Sequence, residues 1–332
     1  MAPGARLQAL IPHDLDRLPA ELAGGVVAVG NFDGMHRGHV ALLESARAAA
    51  GRRGVPSLAL TFEPHPRTVF RPATPVFRLT PLAVKARILR TLRIDGLAVA
   101  KFDRTFAAIA AEAFIETVLV GRLRIAEAVV GFNFRFGRQR AGTLEMLVAA
   151  GRRDGFAVSV VEPVPGGNGE PLSSSAVRDA LAAGNVAGAN SILGYRWFVV
   201  AEVGRGAGRG RDLGYPTANL TLGADCALRH GVYAARVQRA GGRILDAVAS
   251  FGRRPTFDNG APLLEVFVFD FSDDLYGEEI AVTLLDWIRA EEAFGTPAAL
   301  VAAMERDTAA ARAILAATGP GSGLDAALAA LP

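Results

Sequence analysis

The sequence predicts two domains, an α/β domain built on a parallel sheet and a mainly β domain that ends in a helix. Up to about Val161, short apolar runs alternate with alanine-rich helical stretches, whereas after Gly194 one strand-length apolar run follows another. The length of 332 residues also exceeds what one hydrophobic core usually organises. We place the boundary near residues 186–195, which gives domains of residues 1–186 and 187–332.

The first domain is expected to follow a βαβα order. Its strands are predicted at Val26–Gly30, Leu58–Phe62, Leu97–Ala100, Ala128–Phe132 and Ala157–Val161. Its helices are predicted at Gly38–Arg52, Leu82–Leu92, Ala110–Val120, Thr143–Arg152 and Ser175–Ala183, with a further short helix that ends near Leu193. Sheets of this kind bind ligands beyond the carboxyl ends of their strands, so functional residues are expected directly after strands.

The second domain is expected to be an antiparallel β structure. Its strands are predicted at Trp197–Val203, Val232–Arg239, Arg243–Ser250, Leu263–Phe271 and Glu279–Ile288, with a tight hairpin turn at residues 240–242. Apolar residues at helical spacing predict a long helix over Pro297–Leu315 that packs on these strands. The last dozen residues are expected to be loose.

Composition excludes several kinds of protein. The net charge of +3 is small for this length and the arginines are dispersed, which disfavours a nucleic-acid partner. There is no apolar run of membrane-spanning length and no secretory signal, so we expect a cytoplasmic protein without a membrane partner. Cys226, the only cysteine, excludes an internal disulfide and is expected to serve packing alone. Neither Lys85 nor Lys101 has the neighbours of a GxxxxGK[ST] phosphate loop, so ATP would be held differently.

A glycine-rich segment with two histidines, Gly30–His39 (GNFDGMHRGH), comes directly after the first predicted strand and opens a helix. Backbone N–H groups and the helix dipole favour anions at such a position. His36 and His39 are three residues apart and project to one side, where both can donate hydrogen bonds to an α-phosphate. The alternatives are a histidine pair that only caps or packs, and a zinc site completed by His65.

Two further segments follow strands of the same predicted sheet. His65 lies between prolines in the sequence FEPHP, which begins at Phe62, and is either an exposed loop histidine or part of the same site. The segment Gly131–Gly137 (GFNFRFG) has three alternating phenylalanines suited to a flat ring, while Asn133 and Arg135 can reach phosphate.

A serine-rich helix start completes the first set of motifs. Ser174, Ser175 and Arg178 in the sequence LSSSAVR form either an ordinary helix cap or a clamp for the β- and γ-phosphates of a nucleotide.

These four motifs, in this order, resemble those of the FMN adenylyltransferase branch of the nucleotidylyltransferase superfamily, with HRGH matching its HxGH signature. The resemblance implies a Rossmann-like nucleotidylyltransferase domain that transfers AMP from ATP to FMN. It implies ATP binding by Gly30, Asn31, Phe32, His36, His39, Ser174, Ser175 and Arg178, with the two histidines catalytic. It implies FMN binding by Phe62, His65, Asn133 and Arg135.

The second domain carries its own phosphate-binding pattern in residues 206–219 (GAGRGRDLGYPTAN). Gly206, Gly208 and Arg211 belong to a glycine/arginine loop that suits phosphate, although RNA is an alternative. In an extended chain Thr217 and Asn219 point the same way and offer oxygen ligands for Mg²⁺ bound to ATP. The alternative is an ordinary Pro-Thr turn.

Glu265 lies in an alternating segment, LLEVFVFDF, on the face that also carries Phe267, Phe269 and Phe271. A carboxylate among phenylalanines suits a general base that activates a hydroxyl toward a γ-phosphate. The alternative is a strand-end glutamate that reaches water.

GRGRDLGYPTAN, GVYA, GRRPT, LEVFVFDF and DLYG together resemble the riboflavin kinase module throughout its length. The resemblance implies a six-stranded β-barrel in which Gly206, Gly208, Arg211, Thr217 and Asn219 hold Mg²⁺-ATP, Thr217 and Asn219 being the metal ligands, and Glu265 activates riboflavin. The two modules in this order resemble the prokaryotic bifunctional enzymes, also called FAD synthetases, whose small molecules are ATP, riboflavin, FMN and FAD.

Two single positions and one short segment depart from the family pattern: Arg205 in place of a common histidine, Ser250 in place of a common asparagine, and residues 195–197 in place of Arg-Pro. Two other functions stay open. One is adenylylation of another phosphomonoester beside a passive second domain, and the other is a non-enzymatic flavin- or nucleotide-binding regulator. The sequence leaves self-association open.

Overall fold

The computed structural model describes residues 10–167, 172–206, 210, 213–253 and 262–331. The chain forms two compact units, one of residues 1–76 and 80–172 and the other of residues 77–79 and 173–332. The assignment of residues 1–186 to one functional domain stays a prediction.

The first unit contains a six-stranded sheet in which every described pairing is parallel. Its strands are β1 (Pro12–Asp14), β2 (Val26–Val29), β3 (Ser57–Glu63), β4 (Gly96–Lys101), β5 (Glu127–Gly131) and β6 (Ala157–Val161), in the spatial order β1-β4-β3-β2-β5-β6. All four residues of β2 are buried, as expected for a central strand covered on both faces. The predicted parallel sheet is confirmed, and the edge strand β1 was not predicted.

The helices of this unit are α1 (Arg37–Arg53), α2 (Pro66–Phe70), α3 (Leu82–Thr91), α4 (Arg104–Ala107), α5 (Ala111–Phe114) and α6 (Leu144–Asp154). The helix predicted at Ala110–Val120 differs from the structure, because α5 continues as a π-helix over Ile115–Arg122. Val118 and Leu119 of this π-helix lie in the core with the sheet residues Val27 and Leu60.

The second unit begins with α7 (Ser174–Ala182) and α8 (Val186–Leu193) and continues as an antiparallel six-stranded sheet. Its strands are β7 (Phe198–Glu202), β8 (Thr217–Thr221), β9 (Gly231–Gln238), β10 (Ile244–Arg253), β11 (Pro262–Val268) and β12 (Glu279–Arg289), in the order β7-β12-β9-β10-β11-β8. An isolated bridge between Gly204 and Asn219 joins the two ends of this order, so the sheet is a nearly closed barrel.

Two helices follow the barrel, α9 (Pro297–Ala317) and α10 (Gly323–Ala329). Ala311 and Leu315 of α9 pack on the outer face of the barrel against Val232 and Ala234. The expectation of a loose tail was wrong, because α10 has a capping box at Ser322 and its Leu328 is buried.

Two local features of the barrel differ in how well the sequence predicted them. The hairpin turn at residues 240–242 is confirmed, with Gly241 and Gly242 at φ values of 86° and 84°. The strand predicted at Leu263–Phe271 ends earlier, at Val268. Asp270 has a φ of 52°, which interrupts the extended backbone, and its carboxylate accepts hydrogen bonds from Arg312 on α9.

Candidate active sites

A pocket of about 960 Å³ lies in the first unit at the carboxyl ends of three neighbouring strands, β3, β2 and β5. Parallel strands bring the loops that follow them to one edge of the sheet. The residues predicted from the sequence that line the pocket are Gly30, Asn31, Phe32, His39, Phe62, His65, Asn133 and Arg135. Three motifs that are far apart in the sequence therefore lie together.

Of the two histidines of HRGH, His39 lines this pocket, whereas His36 is not part of the lining and stacks on His39. His36 is the N-cap residue of α1, and its ring lies 3.9 Å from that of His39 with an interplanar angle of 22°. His36 is only 8% exposed, and the ring of Phe32 meets His39 edge-on at 5.5 Å. Among the described residues, the Nδ1 atoms of both histidines are buried without a hydrogen-bond partner.

Both histidines are neutral near pH 7. Burial lowers the pKa of His36 to about 4. The pKa of His39 is well below its usual value, first through desolvation of its ring and then through repulsion from the protonated form of His36 and from the charge of Lys85. A neutral imidazole carries one N–H, so each ring can donate one hydrogen bond to an anion in the pocket.

The start of α1 is suited to an anion. His36 makes no side-chain hydrogen bond to the helix, and the first turn contains no acidic residue. The first N–H groups of a helix have no partner within the helix, and the positive end of its dipole lies there. An anionic ligand at this point would therefore meet backbone N–H groups as well as the histidines.

The buried neutral His36 makes the stability of the first unit depend on pH. In the unfolded chain a histidine binds a proton near pH 6.5, whereas folded His36 does so only near pH 4. Between these two pKa values the unfolded state binds more protons than the folded state. The contribution of neutral His36 to the free energy of unfolding is therefore complete above pH 6.5 and is lost as the pH falls from 6.5 toward 4. His36→Gln should reduce this loss by up to about 1.4 kcal/mol per pH unit.

Hydrogen exchange of peptides from β2 at pH 4.5 to 7 measures this stability in wild type and variant. Parallel pH dependences in the two proteins would contradict the assigned neutral state of His36.

His65 caps a short helix at the edge of the pocket. Its Nδ1 accepts a hydrogen bond of 3.2 Å from the backbone N–H of Arg67, the second residue of α2. Because Nδ1 acts as the acceptor, the ring proton of neutral His65 resides on Nε2. His65 therefore presents a donor from its outer nitrogen, which suits a phosphate.

An aromatic wall of the pocket contains Phe62, which was predicted, and three phenylalanines that were not. Phe102 lies 6.0 Å from Phe62 and 5.9 Å from Phe70 between ring centroids, and Phe106 lies 6.0 Å from Phe62. All four line the pocket. They come from β3, α2, α4 and the loop before α4, so no single motif contains them. In the sequence, the spacing of four residues between Phe102 and Phe106 was the signal that could have revealed this wall.

Only two of the three phenylalanines of GFNFRFG belong to the pocket. Phe134 and Phe136 line the pocket and stack on each other with centroids 5.3 Å apart. Phe132 is 46% exposed and is not part of the lining. The reason is local, since β5 ends at Gly131 and the chain turns there instead of continuing as the predicted strand.

The serine motif lies at the start of α7, in the second unit. Ser173 is the N-cap residue, and its hydroxyl accepts a hydrogen bond from Ala176 N–H. Ser174 and Ser175 form the first turn, and Arg178 Nε donates to the carbonyl of Phe77 at 2.8 Å. The role of these residues in triphosphate binding stays a prediction.

A row of polar residues crosses three strands of the barrel. Glu265 on β11 lies directly opposite Asn219 on β8 and opposite Ser250 on β10. Their buried neighbours Ala218 and Leu264 point to the other side of the sheet, so the row lies on the outer face. Directly opposed residues have Cβ atoms about 5 Å apart. The structure thus places the predicted base beside a predicted metal ligand.

The environment of Glu265 agrees in part with the sequence. Phe267 and Phe269 share its face, as predicted, and they also pack toward α9. Phe271 does not join them, because the strand ends at Val268. The substituted position Ser250 falls within the polar row itself. Arg205, the other single-residue departure, lies with its guanidinium carbon 5.7 Å from the ring centroid of Tyr276.

Asn219 has the properties of a metal ligand. It is 7% exposed, and its Oδ1 has no hydrogen-bond partner among the described residues, while its Nδ2 donates to the carbonyl of Thr217. A buried acceptor oxygen of this kind is rarely left without a partner, and a hard cation satisfies it. Gly206 packs against this amide. Gly208 and Arg211 lie outside the described residues.

Within the described part of the chain, no helix combines the length and the apolar character needed to cross a membrane.

Comparisons with known proteins divide the chain in the same order as its motifs. A family model for FAD synthetase matches residues 18–176, and one for riboflavin kinase matches residues 193–315. A crystal structure described as a macrolide-efflux protein from Streptococcus pneumoniae is 31% identical, has a TM-score of 0.79 and covers 92% of this chain and 99% of its own.

Two curated relatives are similar over nearly their whole length. The bifunctional riboflavin kinase/FMN adenylyltransferase of Escherichia coli K12 is 39% identical over 93% of this chain and 97% of its own. The protein of the same name from Haemophilus influenzae is 37% identical over 91% of this chain and 96% of its own. With its two sites and these relatives, the chain belongs to the bifunctional riboflavin kinase/FMN adenylyltransferase family.

Proposed function

We propose that the protein converts riboflavin to FMN and then FMN to FAD, using one ATP in each reaction. The barrel of the second unit phosphorylates riboflavin, and the pocket of the first unit is where FMN is adenylylated with release of pyrophosphate. The observation that carries the proposal is the convergence of GNFDGMHRGH, FEPHP and GFNFRFG on one pocket.

In the adenylylation, an oxygen of the FMN phosphate attacks the α-phosphorus of ATP and pyrophosphate leaves. The attacking phosphate is already anionic, so no side chain has to remove a proton. His36 and His39 donate hydrogen bonds to the α-phosphate, where negative charge increases in the transition state. The stacked neutral rings and the N–H groups at the start of α1 supply these hydrogen-bond donors, and none of them brings a negative charge that would repel the phosphate.

FMN is proposed to lie across the pocket with its flat ring against the aromatic wall. Phe62, Phe102 and Phe106 provide apolar ring surface on one side. His65, Asn133 and Arg135 line the polar part, where Nε2–H of His65 and the guanidinium of Arg135 suit a phosphate. Ser174, Ser175 and Arg178 are proposed to hold the triphosphate of ATP on the basis of their motif.

In the phosphorylation, Glu265 is proposed to accept the proton of the terminal ribityl hydroxyl as that oxygen attacks the γ-phosphorus of ATP. The Oδ1 of Asn219, which lacks a hydrogen-bond partner within the described part of the chain, fits Mg²⁺ bound to ATP together with Thr217, two residues earlier on β8. The ion would neutralise phosphate charge. Asn219 lies directly opposite Glu265, which brings the base next to the nucleotide.

Gly206→Ala should weaken the metal site while both proposed metal ligands, Thr217 and Asn219, are kept. A Cβ at this position would lie 2.7 Å from both Cγ and Oδ1 of Asn219, so the buried amide would have to move. We expect the KM for Mg²⁺-ATP in riboflavin phosphorylation to rise about 10- to 100-fold. Gly295→Ala is the control, since a Cβ there meets nothing within 4 Å. Equal kinetics of the two variants would contradict the placement of the metal at Asn219.

The whole proposal is tested by incubating the purified protein with riboflavin, ATP and Mg²⁺ and separating the flavins by chromatography over time. FMN should appear first and FAD second. If no FAD forms from FMN, pantetheine and nicotinate phosphate acceptors are the next substrates to assay. Binding of ATP and flavin without any product would instead indicate a regulator. We place these reactions in the cytoplasm, where the buried thiol of Cys226 stays reduced.

A further inference from the structure

The loop that joins β2 to α1 has an unfavourable backbone conformation that contacts with other segments must stabilise. Phe32 and Met35 have φ values of 47° and 43°, and Gly34 has a φ of 83°. A non-glycine residue in the left-handed region is unfavourable by about 1 kcal/mol or more. Such a conformation persists only where surrounding contacts enforce it. The loop ends at His36, so these contacts also determine where the catalytic histidines lie.

Thr80, which lies just before α3, provides one set of these contacts. Its backbone N–H donates to Asp33 Oδ1 at 3.0 Å, and its hydroxyl donates to the carbonyl of Phe32 at 2.9 Å. The same hydroxyl accepts the backbone N–H of Gly34 at 3.0 Å. Thr80 is fully buried, and it bonds three consecutive residues of the loop.

Lys85 on α3 provides the second set. Its Nζ donates to the carbonyl of Asn31 at 2.9 Å, to Thr61 Oγ1 at 2.8 Å and to Glu63 Oε1 at 3.2 Å. The side chain of Lys85 is 0% exposed. An ammonium group is tolerated in such a place only when its three N–H groups are matched by acceptors, as they are here. Lys85 thereby fixes the loop to the end of β3.

We propose that Thr80 and Lys85 are positioning residues for adenylyl transfer. They hold the backbone of residues 31–34 so that His36 and His39 face the α-phosphate of ATP. Neither residue lines the pocket, so both act through the loop. The inference rests on the proposed adenylyltransferase function of this pocket and adds the part of the machinery that lies behind it. The positive charge of Lys85 also contributes to the low pKa of His39.

The test compares Thr80→Val, Thr80→Ser and Lys85→Met in the full chain. Valine keeps the shape and the backbone bond to Asp33 but removes the hydroxyl, whereas serine keeps the hydroxyl. Thr80→Val and Lys85→Met should lower kcat for FMN adenylylation about 10- to 100-fold, the effect of misplacing catalytic groups by about 1 Å. Thr80→Ser should restore most of the lost rate.

Three readouts separate positioning from general damage. The Kd for FMN, followed by flavin fluorescence, should stay near the wild-type value, because no residue that lines the pocket has changed. Riboflavin phosphorylation should also be unchanged. The controls are Thr117→Val, which removes an exposed threonine hydroxyl of the same unit, and Lys101→Met, which removes an exposed lysine; both should keep the wild-type kcat.

Wild-type kcat in Thr80→Val would overturn the proposal, as would a loss that Thr80→Ser does not restore. Loss of FMN binding together with kcat would indicate a structural role and would overturn it as well. If Lys85→Met does not fold, the comparison of Thr80→Val with Thr80→Ser is sufficient to test the proposal. A wild-type protein that never adenylylates FMN would instead refute the proposed function, which the same assay detects.

Discussion

His36→Ala is expected to lower FAD formation from FMN by about 10²- to 10³-fold while FMN formation from riboflavin continues at the wild-type rate. The factor is that of one lost hydrogen-bond donor to charge that develops in a transition state. His36 has no other ionic role, because burial keeps its pKa near 4 and the ring neutral. The chromatographic assay with riboflavin, ATP and Mg²⁺ measures both products in one reaction.

His13→Ala is the matched control for this variant, since His13 lies in the edge strand β1 of the same unit and belongs to none of the pocket motifs. It should leave both rates unchanged. Loss of both activities in His36→Ala, with the circular dichroism spectrum of wild type, would show that the histidine does not belong to adenylylation alone.

Glu265→Gln is expected to lower riboflavin phosphorylation about 10²- to 10⁴-fold, the usual contribution of a general base. Glutamine keeps the size of the side chain and its place between Asn219 and Ser250, so packing should persist. When FMN is supplied, FAD formation should proceed as in wild type. Separate assays with riboflavin and with FMN as the starting flavin measure the two reactions.

A glutamate elsewhere on the barrel controls for the loss of a charge. Glu279 is exposed at the start of β12, and Glu279→Gln should phosphorylate riboflavin normally. Phosphorylation by Glu265→Gln at the wild-type rate would exclude Glu265 as the base, and so would an equal loss in Glu279→Gln.

Most of the fold was predictable because it depends on patterns that are local in the sequence. The four residues of β2 are all apolar, and the glycines and histidines that follow them mark the start of α1. Each motif of the first pocket lies directly after such a strand, which places it at the carboxyl edge of the sheet. The convergence of Asn31, His65 and Asn133 follows from this rule together with the adjacency of β3, β2 and β5, which the structure supplies.

Other features depend on contacts between distant residues, which periodicity does not record. Lys85 is a lysine on the buried face of α3, between Val84 and Ala86, and only the structure shows that it bonds Asn31 and Thr61. The pairing of Glu265 with Asn219 and Ser250 depends on strand register, which the sequence of each strand leaves undetermined.

The row of Asn219, Glu265 and Ser250 makes strand length as important as residue identity. Side chains along a strand alternate between its two faces. Deleting one codon of β8 before Asn219 would turn its amide into the barrel and bring an alanine or a leucine to the outer face. An alanine substitution removes one group, whereas such a deletion misaligns a whole strand against β11. A deletion or insertion of one residue in these strands should therefore reduce riboflavin phosphorylation more than a single substitution does.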